Sequence, residues 1–463
     1  MKYLTLLMLL LTIVESKPIH TDREQTSLNI NDNKRKDYSQ YNLIRCDTTY
    51  NNNNNININF DDLWMKNDDY MEFMVHENDI DSYKDCKMLG NIQNMINEEF
   101  ESMFFDNEEE EKDLFDDVDD DDVLIKHSLE NDISIDTLAN PFFKRYRNLE
   151  EIYQYMDELA YKYANLVRLE NIGTTYEGRD LKAMHISAHD PISHDPNGPE
   201  KLKKTIVITS GLHSREWATI TTTLWIATKL ASKYSTYKKE TNYLDNLDFF
   251  IIPVFNPDGY EYTWNDDRLW RKTRQQTFHP RCFGIDLDRS FDFHWQDNEN
   301  PCSPSYSGSS PFESLESKLL NDYLFEKKHN SPDFKLHGFL DFHSYGQEIL
   351  YPYGFSCDLQ PRDLENLLEL SYGMARSIRL KTKENYQVMP SCKDKGSDLI
   401  PGFGSGNALD YMYHSKAYWA FQFKIRDLGE KGFLLPKKYI KPVGKENYAA
   451  VKHFCDFILN PEL

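Results

Sequence analysis

Between Ile208 and Ile220 the chain reads "ITSGLHSREWATI". An apolar run ends here, turns at Gly211 and passes straight into a helical pattern from Trp217. A strand that hands over directly to a helix is the building unit of an α/β sheet, and such sheets carry their sites beyond the strand ends. The junction holds His213 and Glu216 in an H-x-x-E spacing. Two ligands from one turn and a third from a distant strand end would hold zinc while leaving one position open for water and substrate. The pair alone is a weak signal: an isolated His-Glu pair is more often ordinary surface chemistry, and the helical H-E-x-x-H spacing is absent.

Working outward, "NLEEIYQYMDELAYKYANL" (Asn148 to Leu166) sets apolar residues at helical spacing behind an Asn cap and an acidic first turn, which predicts a helix. Strand-like runs occur at Ile206–Thr209, Phe249–Phe255, Gly338–Phe342 and Tyr418–Ile425, with a helix over Trp217–Lys233. The fold class expected is α/β, an open mixed sheet covered by helices on both faces. His343, at the end of the strand in "GFLDFHSYGQ", is the third candidate ligand, although a lone histidine there is more often structural.

The 463 residues suffice for one large domain and a smaller one, and 40% hydrophobic content builds a sizeable core. The formal charge of -23 is uneven, since Asp106 to Asp122 carries twelve acids against one lysine. That run reads as a solvated linker. No cluster of Lys and Arg points to nucleic acid or an anionic membrane. The start, "MKYLTLLMLLLTIVESKP", reads as a secretory signal over residues 1–16, and no later segment is long and apolar enough for a membrane span. A soluble monomer in the secretory pathway is expected, without N-x-Ser/Thr sequons and with seven cysteines, at least one of them unpaired. Residues 17–138 read as an accessory or pro-region, α+β or partly disordered, with an Asn run at Asn51–Asn55 and packable patches at Phe60–Trp64 and Met71–Val75. Residues 139–463 form the main domain.

Six segments in order, "GLHSREW", "NPDGYEYTW", "RLWRKTR", "GIDLDRSFD", "FHSYGQEILYPYG" and "RDLGEKGFLLP", resemble the zinc metallocarboxypeptidases of the pancreatic A/B type. The resemblance covers roughly Phe142 to Leu459. It implies one Zn2+ held by His213, Glu216 and His343, with Asp286 as the carboxylate that steadies a ligand histidine. It implies that Arg271 polarises the scissile carbonyl and that Arg289 grips the terminal carboxylate of a peptide, tasks suited to a fixed cation and a planar fork. Arg215 matches a further groove arginine, Ser344 and Tyr345 a subsite beside the metal, and Leu409 the floor of the pocket for the terminal side chain. An apolar floor suits an apolar C-terminal residue, but Asp410 is adjacent and a slip by one would change that reading. The family pairs cysteines at Cys282 and Cys302, closing the loop that carries Asp286, Asp288 and Arg289; such a bridge contributes roughly 3 kcal/mol. Cys357 with Cys392, as in some relatives, and Cys46 with Cys86 are further pairings, leaving Cys455 over. The family's pro-region covers the groove and is removed by proteolysis; basic pairs at Lys34-Arg35 and Lys144-Arg145 are candidate processing sites.

The pattern breaks in "FQFKIRDLGEKGF", Phe421 to Phe433. Active members carry a glutamate there that takes a proton from zinc-bound water; this chain has Lys424. A lysine is protonated at neutral pH and has nothing to accept with. A unit charge about 5 Å from Zn2+ would cost on the order of 6 kcal/mol at an effective dielectric near 20. Three outcomes stay open: Lys424 swings away, it loses its proton and serves as an unusual base, or its amine takes zinc's open position. Asp288 stands where the family has an asparagine, an anion beside Arg289, and the tyrosine that closes over substrate is missing, with Gly402 or Phe403 at its place. The combination resembles a fungal subfamily of inactive metallocarboxypeptidase-like proteins linked to cell-wall organisation, secreted or vacuolar. The leading expectation is a pseudoenzyme that keeps zinc and a groove for peptide or protein C-termini. The alternatives are an active zinc carboxypeptidase using Lys424, preferring apolar C-terminal residues, and a purely structural zinc protein.

Overall fold

The computed structural model describes residues 35–48, 63–67, 69–104, 141–188, 203–298, 300–330, 336–394 and 404–460. The expected signal sequence, the Asn run, the acidic run, Lys34, Gly402 and Phe403 lie outside them.

The first unit is a small antiparallel sheet with one helix. Strands β1 (Tyr41–Asp47), β2 (Leu63–Lys66), β3 (Tyr70–His76) and β4 (Lys87–Asn91) run in the order β2-β3-β1-β4, followed by α1 (Ile92–Phe104). Period-2 alternation divides its side chains. Ile44, Cys46, Met71, Phe73 and Val75 form a private core on one face, while Leu43, Trp64 and Met65 join the core of the main domain. Glu72, between Met71 and Phe73, therefore faces the main domain. Helix α1 is tied down there as well: Phe100 meets Trp217 and Trp264 edge-on, and the Glu99 carboxylate accepts from Arg268 Nε and Nη2 at 2.6 and 2.8 Å, both side chains buried.

The main domain begins with α2 (Leu149–Lys162), capped as its sequence predicts: Asn148 accepts from Glu151 N, and the Glu151 side chain answers at Asn148 N. Its sheet has eight strands. β5 (Val167–Thr174), β6 (Asp180–Ile186), β7 (Lys204–Ser210), β8 (Leu247–Ile252), β9 (Leu336–Ser344), β10 (Glu348–Tyr351), β11 (Gln387–Pro390) and β12 (Trp419–Ile425) lie in the order β11-β10-β12-β9-β7-β8-β6-β5. The centre, β12-β9-β7-β8, is parallel; β6 and β10 run against it. Burial along β7 after Lys204 and along β9 after His337 is continuous, the signature of a sheet covered on both faces, as expected. Helices α3 (Trp217–Lys233), α4 (Lys238–Asn246), α5 (Pro257–Asn265), α6 (Leu315–Asn330), α7 (Leu364–Thr382), α8 (Ala408–Ser415) and α9 (Ile440–Leu459) complete the domain. Strands β5, β6, β10 and β11 escaped the sequence reading. β5 mixes charged and apolar residues at the sheet edge, and β10 and β11 have four residues each, too few for a period to register.

Three disulfides join Cys46 to Cys86, Cys282 to Cys302 and Cys357 to Cys392, leaving Cys455 buried and reduced. No helix among the described residues is long and apolar enough to cross a membrane.

Candidate metal centre

The parallel strands end side by side, and their register builds the site. His343 on β9 pairs with Lys424 on β12, which in turn faces Glu348 on β10, so these three residues form one row across the sheet. One step back lie Thr209, Asp341 and Gln422. β7 runs into the turn at Gly211, whose φ of 67° suits a residue without a side chain. A Cβ there would press against Ile220 and the Pro253 carbonyl. The turn delivers His213 and Glu216 to the end of this row, with Glu216 at the N-cap of α3.

His213, Glu216 and His343 are all buried, and their ligand atoms lie within 4.8 Å of one another. His213 Nδ1 is 2.8 Å from Glu216 Oε1; His343 Nδ1 is 3.1 Å from His213 Nδ1 and 3.3 Å from Glu216 Oε2. Each imidazole commits its far nitrogen elsewhere. His213 Nε2 donates to Asp286 Oδ1 at 3.1 Å, and His343 Nε2 donates to Asp341 Oδ2 at 2.8 Å. The acids are held in turn: Asp341 accepts from Thr209 Oγ1 at 2.7 Å, and Asp286 accepts from Arg271 Nη2 at 2.9 Å. With both Nε2 atoms protonated, two Nδ1 lone pairs and a carboxylate converge on one point. That is the donor set and backing that zinc favours.

The electrostatics agree. Burial would raise the Glu216 pKa, but His213 and His343 outweigh it and hold the carboxyl well below its ordinary value. Burial likewise opposes the charge on Asp286, and Arg271 and His213 reverse the sign, leaving a firm anion. For His343, burial would lower the pKa, yet Asp341 and Glu216 drive it well above the usual imidazole range. A point where anions favour an imidazolium this strongly also favours a metal cation.

Lys424 does not point to an empty place. Its ammonium forms an ion pair with Asp394 Oδ2 and lies 3.8 Å from Glu348 Oε2. Burial would lower its pKa, but Asp394 and Glu348 prevail and raise it. Of the three outcomes left open by the sequence, the two that need a neutral amine, an unusual base and a zinc ligand, are the ones this geometry disfavours, because either would leave the Asp394 carboxylate against an uncharged nitrogen. Burial pushes Glu348 up to about 7, against the pull of Lys424.

The substrate candidates lie around this row. Arg271 donates to Asp286 and so is already engaged. Asp288 Oδ2 is 3.6 Å from Arg289 Nη1, and the same carboxylate accepts from Ala408 N at 3.0 Å and Gln422 Nε2 at 3.2 Å. Its charge is thus shared between Arg289 and the first turn of α8. Leu409 is fully buried on α8, while Asp410 accepts from Gly354 N, Phe355 N and Asn407 Nδ2 at 2.9 to 3.0 Å. Asp410 is therefore consumed in tying α8 to the loop after β10. Ser344 N donates to Glu216 Oε2 at 3.0 Å. Tyr345 turns instead to the first unit, its hydroxyl donating to Glu72 Oε2 at 2.7 Å. Arg215 lies 3.9 Å over the Phe433 ring; burial, then Arg271, lowers its pKa to about 10. Arg268, which the sequence left without a role, joins three parts: it grips Glu99 and donates to the carbonyls of Arg215 and Phe433.

Three residues of this corner were missed from sequence. Asp341 was accessible, since "DFH" puts it two residues before His343 on the same strand face. Glu348 and Asp394 had no local signal.

A mixed eight-stranded sheet with this buried His-Glu-His cluster at its parallel strand ends defines a metallocarboxypeptidase-type domain. The family model described as zinc carboxypeptidase matches residues 152–450, and the chain belongs to that family. The chain is 56% identical over 323 residues to "Inactive metallocarboxypeptidase ECM14" of Saccharomyces cerevisiae, covering 70% of this chain and 73% of that protein. It is 40% identical over 331 residues to the protein of the same name from Sclerotinia sclerotiorum, covering 69% of this chain and 55% of that protein, so it spans little more than half of that relative. A crystal structure of thrombin activatable fibrinolysis inhibitor matches with a TM-score of 0.72 at 24% identity, over 92% of this chain and 100% of that one, a likeness of fold. The relatives agree with the expectation of a catalytically inactive homologue.

Proposed function

We propose that this chain is a zinc-holding pseudoenzyme: a carboxypeptidase scaffold that binds peptide or protein C-termini without hydrolysing them efficiently. The observation that carries the reading is Lys424, held as an ammonium by Asp394 and Glu348 where a proton acceptor is required. His213, Glu216 and His343 would hold the metal, which when bound supplies Lewis acidity toward a carbonyl or water oxygen. Asp286 and Asp341 orient the two imidazoles. Arg289 offers a guanidinium for a terminal carboxylate, weakened by Asp288 at 3.6 Å, and the family resemblance assigns Leu409, fully buried here, to the base of the side-chain pocket. Residues 17–138 act as a pro-region, whose described part engages the main domain where the Tyr345 hydroxyl donates to Glu72. Three disulfides suit an oxidising compartment, in keeping with a signal at residues 1–16 and a secreted or vacuolar destination. The similarity to the inactive fungal subfamily supports a role in cell-wall organisation.

The test is hydrolysis by the zinc-loaded chain of peptides with varied C-terminal residues between about pH 5 and 10. Background rates are expected throughout; brisk turnover would overturn the reading in favour of an active enzyme. Binding is checked by titrating free peptides into the natural chain and Arg289→Ala, where equal affinities would discard the carboxylate grip.

A further inference from the structure

We propose that Asp394 and Glu348 form a built anionic seat for the Lys424 ammonium, so that the silent state is set by three residues and replacing Lys424 alone by glutamate does not restore a working base. The inference rests on the pseudoenzyme reading and deepens it.

The seat comes from two independent parts of the fold. Glu348 is the direct cross-strand neighbour of Lys424 in the antiparallel β10–β12 pair, so their side chains share a face by register. Asp394 arrives from the short turn after β11. The Cys357–Cys392 bridge and the bond from Cys392 N to Tyr353 O hold that turn in place. Asp394 and Glu348 have side chains only 2% and 10% exposed, and Lys424 is 14% exposed. The Asp394 carboxylate, paired directly with the ammonium, and the Glu348 carboxyl 3.8 Å from it make a pocket that favours a cation, and the lysine fills it. A glutamate at 424 would instead be a third carboxylate in the same enclosure. Such groups cannot all ionise together, so one retains a proton or the side chains part. In either case the new acid is not presented to the metal side as a free anion. Asp394 and Glu348 are positioning residues: they act on the site through the side chain at 424.

The experiment uses the zinc-loaded full chain as wild type, Lys424→Glu, Asp394→Asn and the double variant. Each single change is expected to lower Tm, with Lys424→Glu falling on the order of 10 °C, while the double variant stands above Lys424→Glu. A blocked dipeptide ending in Phe is the substrate probe. Lys424→Glu should stay within about tenfold of the wild-type background, and the double variant should exceed it by at least roughly tenfold in kcat with little change in KM. Strictly additive Tm changes, or a Lys424→Glu variant as active as the double, would overturn the seat. If Lys424→Glu does not fold, Lys424→Met with and without Asp394→Asn supplies the same stability cycle, and its coupling decides the matter even where no variant turns over substrate. Turnover by the wild type would instead sink the pseudoenzyme reading, a separate outcome.

Discussion

Two corners of one buried row respond to charge in opposite ways. At one end, His213, Glu216 and His343 turn three donor atoms toward a common point while Asp286 and Asp341 hold the imidazoles from behind. That end is an anionic cradle whose donor set suits a metal cation. Across β12, Asp394 and Glu348 make a second anionic cradle, and the chain fills it itself with Lys424. The difference teaches that the sheet can tolerate a concentration of buried acids only if each group of them receives a positive charge, either metal or side chain. On this reading, holding a metal and accepting a proton would depend on different ends of the row.

The comparison breaks most sharply at the metal end. His213→Ala should abolish the one equivalent of zinc measured by elemental analysis, whereas Lys424→Met should leave it unchanged; loss of metal in both would mean the corners are not independent. Lys424→Met should instead lower folding stability, read by denaturant titration, by roughly 3 kcal/mol because two acids lose their cation. A change of a few tenths would show that Asp394 is not confined as its burial implies. Asp341→Asn sharpens the metal end: the His343 ring loses its charged support, and zinc affinity should weaken about 10- to 100-fold in a chelator competition. An unaltered affinity would leave Asp341 as a packing residue only.

The smallest effect concerns the cover. Burial raises Glu72 to about 7 although Tyr345 and Arg45 pull it down. A carboxyl with a raised folded-state pKa contributes stability that is complete below its ordinary value and is lost as pH rises through about 7. Tm of the intact chain should therefore fall between pH 5 and 7, with a share near 1 kcal/mol per pH unit that Glu72→Gln removes. A slope identical in the variant would assign the pH dependence to other buried acids such as Glu316, also raised by burial to about 7.

Much of this site was legible in the chain. The turn at Gly211, the H-x-x-E pair and the strand-end histidine are local features, and the helices over Trp217–Lys233 and behind Asn148 announced themselves through period and capping. Asp288 beside Arg289 was likewise readable, because neighbours in sequence share an environment. The short strands β10 and β11 were not, being too brief to carry a pattern.

What the sequence by itself determined was the candidate ligand set His213, Glu216 and His343 and the presence of a cation at Lys424, since residue types at a strand–turn–helix junction and at strand ends are local features. What only the tertiary structure decided was the fate of that cation. Glu348 lies 76 positions before Lys424 in the chain and Asp394 30 positions before it. They meet the lysine only because antiparallel pairing and a disulfide-held turn bring them into one enclosure. Burial there excludes water, and without water the charges must neutralise one another.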